Sequence, residues 1–524
     1  MRRVLISTTL LLCCSLGLLY SQEVTELSAI KMANYYFQMF QSENKDSDNN
    51  GDSIMIANHK LTMPEQISPS GRANMWLVPV SDGWILLSGS MKATPILAYI
   101  PSLKKPVYDS MPPAAQELLD GYEDYIDYIN NDLSKNIDSR WSEILNYSEE
   151  EIAYRASMTS QVGPLLTVQW GQSGGGSCGT NKIYNKFCPT VVDPSRCNKA
   201  PAGCVAVAIA QIMWYWNWPY AAQIPQTIGG NDTILTFYDW SKMPTSINNS
   251  TSMEEVDMIA GFLRDCGYKL GMNYGAGGSS AGDDDAEKAL KAFGYDENTI
   301  DLRHKWITSG WTNMLRTNID NGQPVYYGGY SKVIGGEGHT FVVDGYQTGN
   351  SPIYHINWGW KGLYNGWYNI DDAYINDTTH YEHWQTAIFG IRPAPRYCTD
   401  LTITTVESPK FCIAQAGTVT LNGVQMSNIT DGRVYSSESI ILTNGTYISS
   451  GCNVVFDIKP VPCTSPIMQA YAPWNTDSAN LIKQTPINDE AIKTLPVSSK
   501  ILRDGQLFII REEKTFTVTG QEVK

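Results

Sequence analysis

Residues 199–219 read KAPAGCVAVAIAQIMWYWNWP, and the meaning of Cys204 in that stretch decides how the rest of the chain is read. Nothing between Cys204 and Trp218 breaks a helix, Pro219 ends the run, and Pro201 with Gly203 supplies a turn before it. The pattern predicts a helix opening at or near Cys204. The partial positive charge of such an end stabilises a thiolate, which a cysteine nucleophile needs. Taken alone, a cysteine opening an apolar helix is more often a packing residue. A nucleophile must also have a base.

Histidine is the usual base, and the chain has six: His59, His304, His339, His355, His380 and His383. Only His339 stands in a setting suited to catalysis. In VIGGEGHTFVVDGY (333–346), Gly335, Gly336 and Gly338 precede it and allow close backbone approach to a substrate. The apolar strand Phe341 to Val343 follows and would hold the imidazole. Downstream, HINWGW (355–360) offers Asn357 to orient the ring and Trp358 or Trp360 to shield that bond from water.

The remainder of the 524 residues sets the context. The length exceeds one ordinary core and implies two or three domains. A net charge of −15 argues against nucleic acid or an anionic membrane surface as the main partner. MRRVLISTTLLLCCSLGLLYSQ has a basic start and an apolar run, the form of a secretory signal cleaved after Ser21. Export permits disulfides. Nine cysteines follow the signal: Cys398, Cys412, Cys452 and Cys463 form one even set, and Cys178, Cys188, Cys197 and Cys266 could form another. Cys204 is then the unpaired one. No two of the nine are separated by only two residues, so no zinc site or other cofactor is expected.

Residues 22–158 read as one α+β unit. SAIKMANYYFQMF and PPAAQELLDGYEDYIDYIN carry apolar residues at helical spacing, and GWILLSGS and TPILAYI read as strands. The loop holding Asp46, Asp48, Asn50 and Asp52 partly imitates a calcium loop, but Ala57 replaces the bidentate ligand and a solvated acidic loop is expected. GDDDAEKAL is read as an acid-rich helix start without chemistry. From Tyr397 onward, Thr- and Val-rich runs broken by Gly and Asn predict short strands.

Several strings, in order, resemble the streptopain family of papain-like bacterial cysteine peptidases. They are WGQ (170–172), YNKFCP (184–189), GCVAVAIAQIMWYWNWP (203–219), MNYGAGGSSAGDDDAEKALKAFGY (272–295), QPVYYGGYSKVIGGEGHTFVVDGY (323–346), HINWGW and HWQTAIFGIRP (383–393). The resemblance implies an α+β protein: a signal at 1–21, an inhibitory prodomain at 22–158 and a papain-like catalytic domain at 159–394. The β-rich module at 395–524 follows; its end resembles the short β endings of exported proteins and is read either as a sorting or adhesion element or as a plain stabilising domain. It implies a secreted endopeptidase, made as a self-inhibited zymogen, that acts on protein or peptide substrates. Cys204 is then the nucleophile, His339 the base and Gln172 the side-chain donor of the oxyanion hole. Ser280 and Gly338 match substrate-contacting positions, and Asn357 or Trp358 supports His339. The insertion SGGGSCGTNKI (173–183) departs from the family pattern and could carry a disulfide. A secreted binding or adhesion protein with an inactive papain-like core is the alternative from another class.

Overall fold

The computed structural model describes residues 23–41, 64–69, 71, 74–330, 338–348, 353–371 and 385–463, and the strands 484–485, 498–503, 506–511, 514–517 and 522–523. The expected signal and the acidic loop at 46–52 lie outside these residues, as do His59, His380 and His383. Along the chain come α1 (Glu26–Gln41), β1 (Glu65–Ile67), β2 (Met75–Val80), β3 (Gly83–Ser88), β4 (Ile96–Ile100), α2 (Pro113–Asn131), α3 (Ser139–Asn146), α4 (Glu149–Ser157) and β5 (Gln161–Val162). Then follow α5 (Cys204–Trp216), β6 (Ala221–Pro225), β7 (Thr233–Phe237), α6 (Met253–Lys269), β8 (Asn273–Tyr274), β9 (Ser279–Ser280) and α7 (Asp283–Ala292). Next are β10 (Asp301–His304), α8 (Trp311–Asp320), β11 (Val325–Tyr330), β12 (Gly338–Gln347), β13 (Ile353–Asn357), β14 (Gly366–Tyr368) and β15 (Thr386–Phe389).

The chain is α+β, and it forms two compact units that cut across its linear segments. One comprises residues up to Gly171 together with Leu302–Phe389; the other comprises Gln172–Asp301 and Gly390 onward.

The first unit is built on one sheet of order β1-β2-β3-β4-β14-β13-β12-β11-β15-β10, with β5 added to β12. Successive strand residues point to opposite faces, so β2 sends Met75 and Leu77 into one core and Trp76 and Val78 into another. Helix α1 closes the second core through Ala29, Met32, Ala33, Tyr36 and Phe37, the stripe expected from the sequence. Helix α2 starts with Pro113 in its first turn and closes the other core with Leu118, Leu119, Tyr122, Ile126 and Ile129. That core continues under Tyr327, Phe341, Val343, Tyr354 and Tyr368. The segment 22–158 therefore shares both a sheet and a core with residues 302–389. At the seam Trp367 pairs with Tyr99 and Tyr368 with Ala98. The Tyr122 hydroxyl lies 2.9 Å from Leu97 O and 2.8 Å from Asn369 O.

In the second unit, α5 is buried on every face from Val205 to Met213, as its uniformly apolar sequence requires. Helix α6 is fixed at its start by a capping box between Ser252 and Glu255. From Leu401 to Ile458 the β-rich module is a parallel solenoid, and the strands from Ser498 onward add to it in antiparallel order. Leu401 pairs with Val419 and Val419 with Ile440; Lys410 pairs with Asp431; Gln425 pairs with Tyr447. Rungs thus recur roughly every twenty residues, and their inward Ile403, Phe411, Val419, Leu421, Met426, Val434 and Ile440 stack into one core.

Disulfides join Cys178 to Cys197 and Cys398 to Cys463. Each expected even set therefore yields one bond rather than two, because Cys188, Cys266 and Cys412 are buried as thiols and Cys452 is unbonded.

Candidate active site

Cys204 is the first residue of α5, as the sequence predicts, and is half-buried. Gly203 before it has φ 92°, and a Cβ there would lie 2.8 Å from Met272 Cε and 3.1 Å from Ser279 O. Only glycine satisfies both the backbone angle and the space. First-turn amides of a helix have no intrahelical acceptor, so the N–H groups at the Cys204 end favour a thiolate and can receive an oxyanion. Gln172 lies in the same unit, and its carbonyl accepts the Ala202 N–H at 2.8 Å, two residues before the cysteine. Ser280, on β9, is exposed; its neighbour Ser279 donates its hydroxyl to Pro201 O at 2.7 Å. Gln172, Cys204 and Ser280 thus converge on one stretch of backbone.

The other sequence-predicted residues gather in the first unit. His339 is the second residue of β12, opposite Gly329 of β11, and only 8% exposed. Gly338 is exposed at the strand start. His339 Nε2 lies 3.4 Å from the main-chain oxygen of Trp358. Asn357 donates Nδ2 to Val168 O at 2.8 Å and accepts the Gly359 N–H at 3.1 Å. Its amide shapes the turn after β13.

Trp358 is 1% exposed and held at both ends. Its N–H donates to Asn365 Oδ1 at 3.1 Å and its indole Nε1 to Tyr364 O at 2.9 Å. Its ring packs 4.9 Å from Phe341 and 5.2 Å from Tyr368. The loop beyond it carries positive φ at Gly359, Lys361, Gly362 and Tyr364. Left-handed Lys and Tyr are costly, and such strain persists only where surrounding contacts impose it. The Trp360 ring lies 6.4 Å from the imidazole.

Sequence reasoning missed two features. A backbone carbonyl, that of Trp358, lies beside the His339 ring, and no residue type gives a signal for such a contact. It also missed a second, wholly buried carboxylate–imidazole pair. His355 Nδ1 lies 2.6 Å from Asp344 Oδ1, while Asp344 Oδ2 accepts the Leu166 N–H at 2.8 Å and its carbonyl accepts Leu165 N–H at 2.9 Å. That pair ties the strand carrying His339 to the segment after β5. No cluster of His, Cys, Asp and Glu fit to hold a metal occurs among the described residues.

The profile of the Peptidase C10 family matches residues 178–368, and that of the Spi protease inhibitor matches residues 21–126. Thiol protease/hemagglutinin PrtT of Porphyromonas gingivalis is 32% identical over 39% of this chain, a match that spans only 26% of PrtT. Streptopain of Streptococcus pyogenes is 26% identical over 64% of this chain and 84% of its own length. Among solved structures, a prointerpain A fragment from Prevotella intermedia matches with TM-score 0.46 and 21% identity, covering 63% of this chain and 99% of the fragment. Active interpain A from the same organism matches with TM-score 0.37 and 26% identity over 44% of this chain and 95% of its own. Residues 178–368 thus belong to the Peptidase C10 family of streptopain-like cysteine peptidases, and residues 21–126 match an inhibitor-like prodomain.

Proposed function

We propose that the chain is a secreted cysteine endopeptidase, made as a zymogen held inactive by residues 22–158. The observation that carries this reading is the position of Cys204 as first residue of a buried helix behind a glycine that nothing larger can replace. In the proposed cycle the Cys204 thiolate attacks the peptide carbonyl carbon. The N–H of Cys204 and the side-chain amide of Gln172 receive the oxyanion, each such donor contributing about 3 kcal/mol. The His339 imidazolium gives its proton to the departing amine. It then takes one from the water that hydrolyses the thioester, returning the thiolate. Since Nε2 faces Trp358 O, we assign Nδ1 to these transfers.

Activation requires a cut between the prodomain and β5. Met158, between α4 and β5, is 70% exposed, whereas from Ser160 onward the chain is tied to Thr348 and Asp344. We therefore assign processing to the neighbourhood of residues 157–159. Production of the full chain and its Cys204→Ala variant tests both claims. The native chain should cut itself in that stretch and then digest casein, and the variant should do neither. A variant that still processes itself and digests casein would refute the assignment.

A further inference from the structure

The loop between Gln172 and Cys204 is closed on itself. Gly175 bridges Ile183, Thr190 bridges Lys199, and the Cys178–Cys197 disulfide joins its two arms. Buried Asn185 donates to the carbonyls of Arg196, Lys199 and Ala200 at 3.2–3.3 Å. Cys197 and Asn198 are consecutive left-handed residues, φ 60° and 56°, a bend that the disulfide and these bonds impose. Arg196 stands immediately before this bend and is half-buried. Its guanidinium lies 3.3 Å from Asp193, whose carboxylate is held ionised by hydrogen bonds from Ser195, and donates to Ala276 O.

Ala276 is the tip of the β8–β9 hairpin. That hairpin has only two ladder pairs, Asn273 with Ser280 and Tyr274 with Ser279. Its turn, Gly275-Ala276-Gly277-Gly278, is glycine-rich, and Gly277 and Gly278 have nothing within 4 Å of a Cβ position. Such a turn has much conformational freedom and little packing to restrain it. Ser279 anchors the root on Pro201, next to the nucleophile, and Arg196 anchors the tip.

We propose that Arg196, carried on the Cys178–Cys197 loop, is a positioning residue that keeps the 273–280 hairpin preformed, so that β9 offers a fixed edge to the substrate residues preceding the scissile bond. The inference rests on the proposed roles of Cys204 and Ser280. It implies two opposed effects of reductant: freeing the Cys204 thiol raises activity, and opening Cys178–Cys197 lowers affinity for extended substrates.

The test compares the processed native enzyme with Arg196→Ala, Arg196→Lys and the Cys178→Ser/Cys197→Ser pair. Amide hydrogen exchange of residues 273–280 should accelerate about tenfold in Arg196→Ala and in the double variant, the scale of one lost charge-assisted hydrogen bond, and stay near native in Arg196→Lys. For a peptide reaching at least four residues before the cut, KM should rise about tenfold with kcat within about twofold; a single-residue ester should be cleaved as before. Unchanged exchange at 273–280 in Arg196→Ala would overturn the proposal, as would an equal loss on the short ester. If the native enzyme cleaved nothing, the functional reading would fail, while the exchange data would still decide whether Arg196 braces the hairpin.

Discussion

His339 Nε2 faces the main-chain oxygen of Trp358 at 3.4 Å, and the neighbouring Asn357 donates to Val168 O and accepts the Gly359 N–H. Through this contact the position of the ring is coupled to where the backbone of Trp358 lies. That in turn depends on an indole ring packed against Phe341 and Tyr368 and on the Asn365 side chain.

Asn365→Ala should lower kcat several-fold with KM little changed, and cost about 1–2 kcal/mol of stability from the stranded Trp358 N–H. Trp358→Ala removes a fully buried ring and should cost about 3–5 kcal/mol, with near-complete loss of activity, whereas Trp358→Phe should keep much of both. Steady-state kinetics beside urea unfolding check this. Equal kcat in Trp358→Ala and the native enzyme would contradict the coupling.

Thiol labelling should single out Cys204. Burial pushes the Cys188 and Cys412 thiols up to about 12 and raises Cys266 well above its ordinary value, so these three stay protonated and inert near neutrality. Iodoacetamide on the reduced, processed enzyme at neutral pH should modify Cys204 fastest and abolish activity in step. Peptide mapping by mass spectrometry gives the order of modification.

The same burial makes stability depend on alkaline pH. A thiol raised in the folded state favours folding of its protonated form. For Cys188 that contribution is fully present below about pH 9 and is lost as pH climbs toward 12. Denaturant midpoints should fall with rising pH, and in Cys188→Ala the fall should be shallower by about 2 kcal/mol at roughly pH 10.5. Parallel curves for the two proteins would remove Cys188 as the cause.

Gly366 probes the seam between prodomain and catalytic sheet. A Cβ there would stand 2.6 Å from Tyr99 O and 3.2 Å from Ile100 Cα. Gly366→Ala should push β4 from β14, lower the zymogen's melting temperature by several degrees, as about 1–3 kcal/mol of overpacking would, and speed processing. Differential scanning calorimetry with a processing time course measures both.

The Cys398–Cys463 bond spans the solenoid, its ends 65 positions apart in the sequence. Replacing both cysteines by serine should cost the module about 4 kcal/mol on the loop-entropy estimate, seen as faster proteolysis beyond residue 394. Peptide hydrolysis by the catalytic residues should be retained.

The sequence by itself determined the elements whose signals are local. The helix at Cys204 follows from an unbroken apolar run behind a glycine, and α1 and α2 from apolar residues at helical spacing, because these patterns act within a few turns of chain. The assignment of Cys204, His339 and Gln172 came from the order of long strings. Only the tertiary structure decided that residues 22–158 share a sheet and core with 302–389, since strand pairing such as Tyr99 with Trp367 joins residues far apart and leaves no local trace. The β-rich tail read as short strands, yet that they stack in parallel rungs depends on a repeat too degenerate to see in its Thr-, Val- and Asn-rich text. That the Trp358 carbonyl faces His339 was likewise closed to sequence. A backbone carbonyl has the same chemistry in every residue, and only the packing around Trp358 aims it.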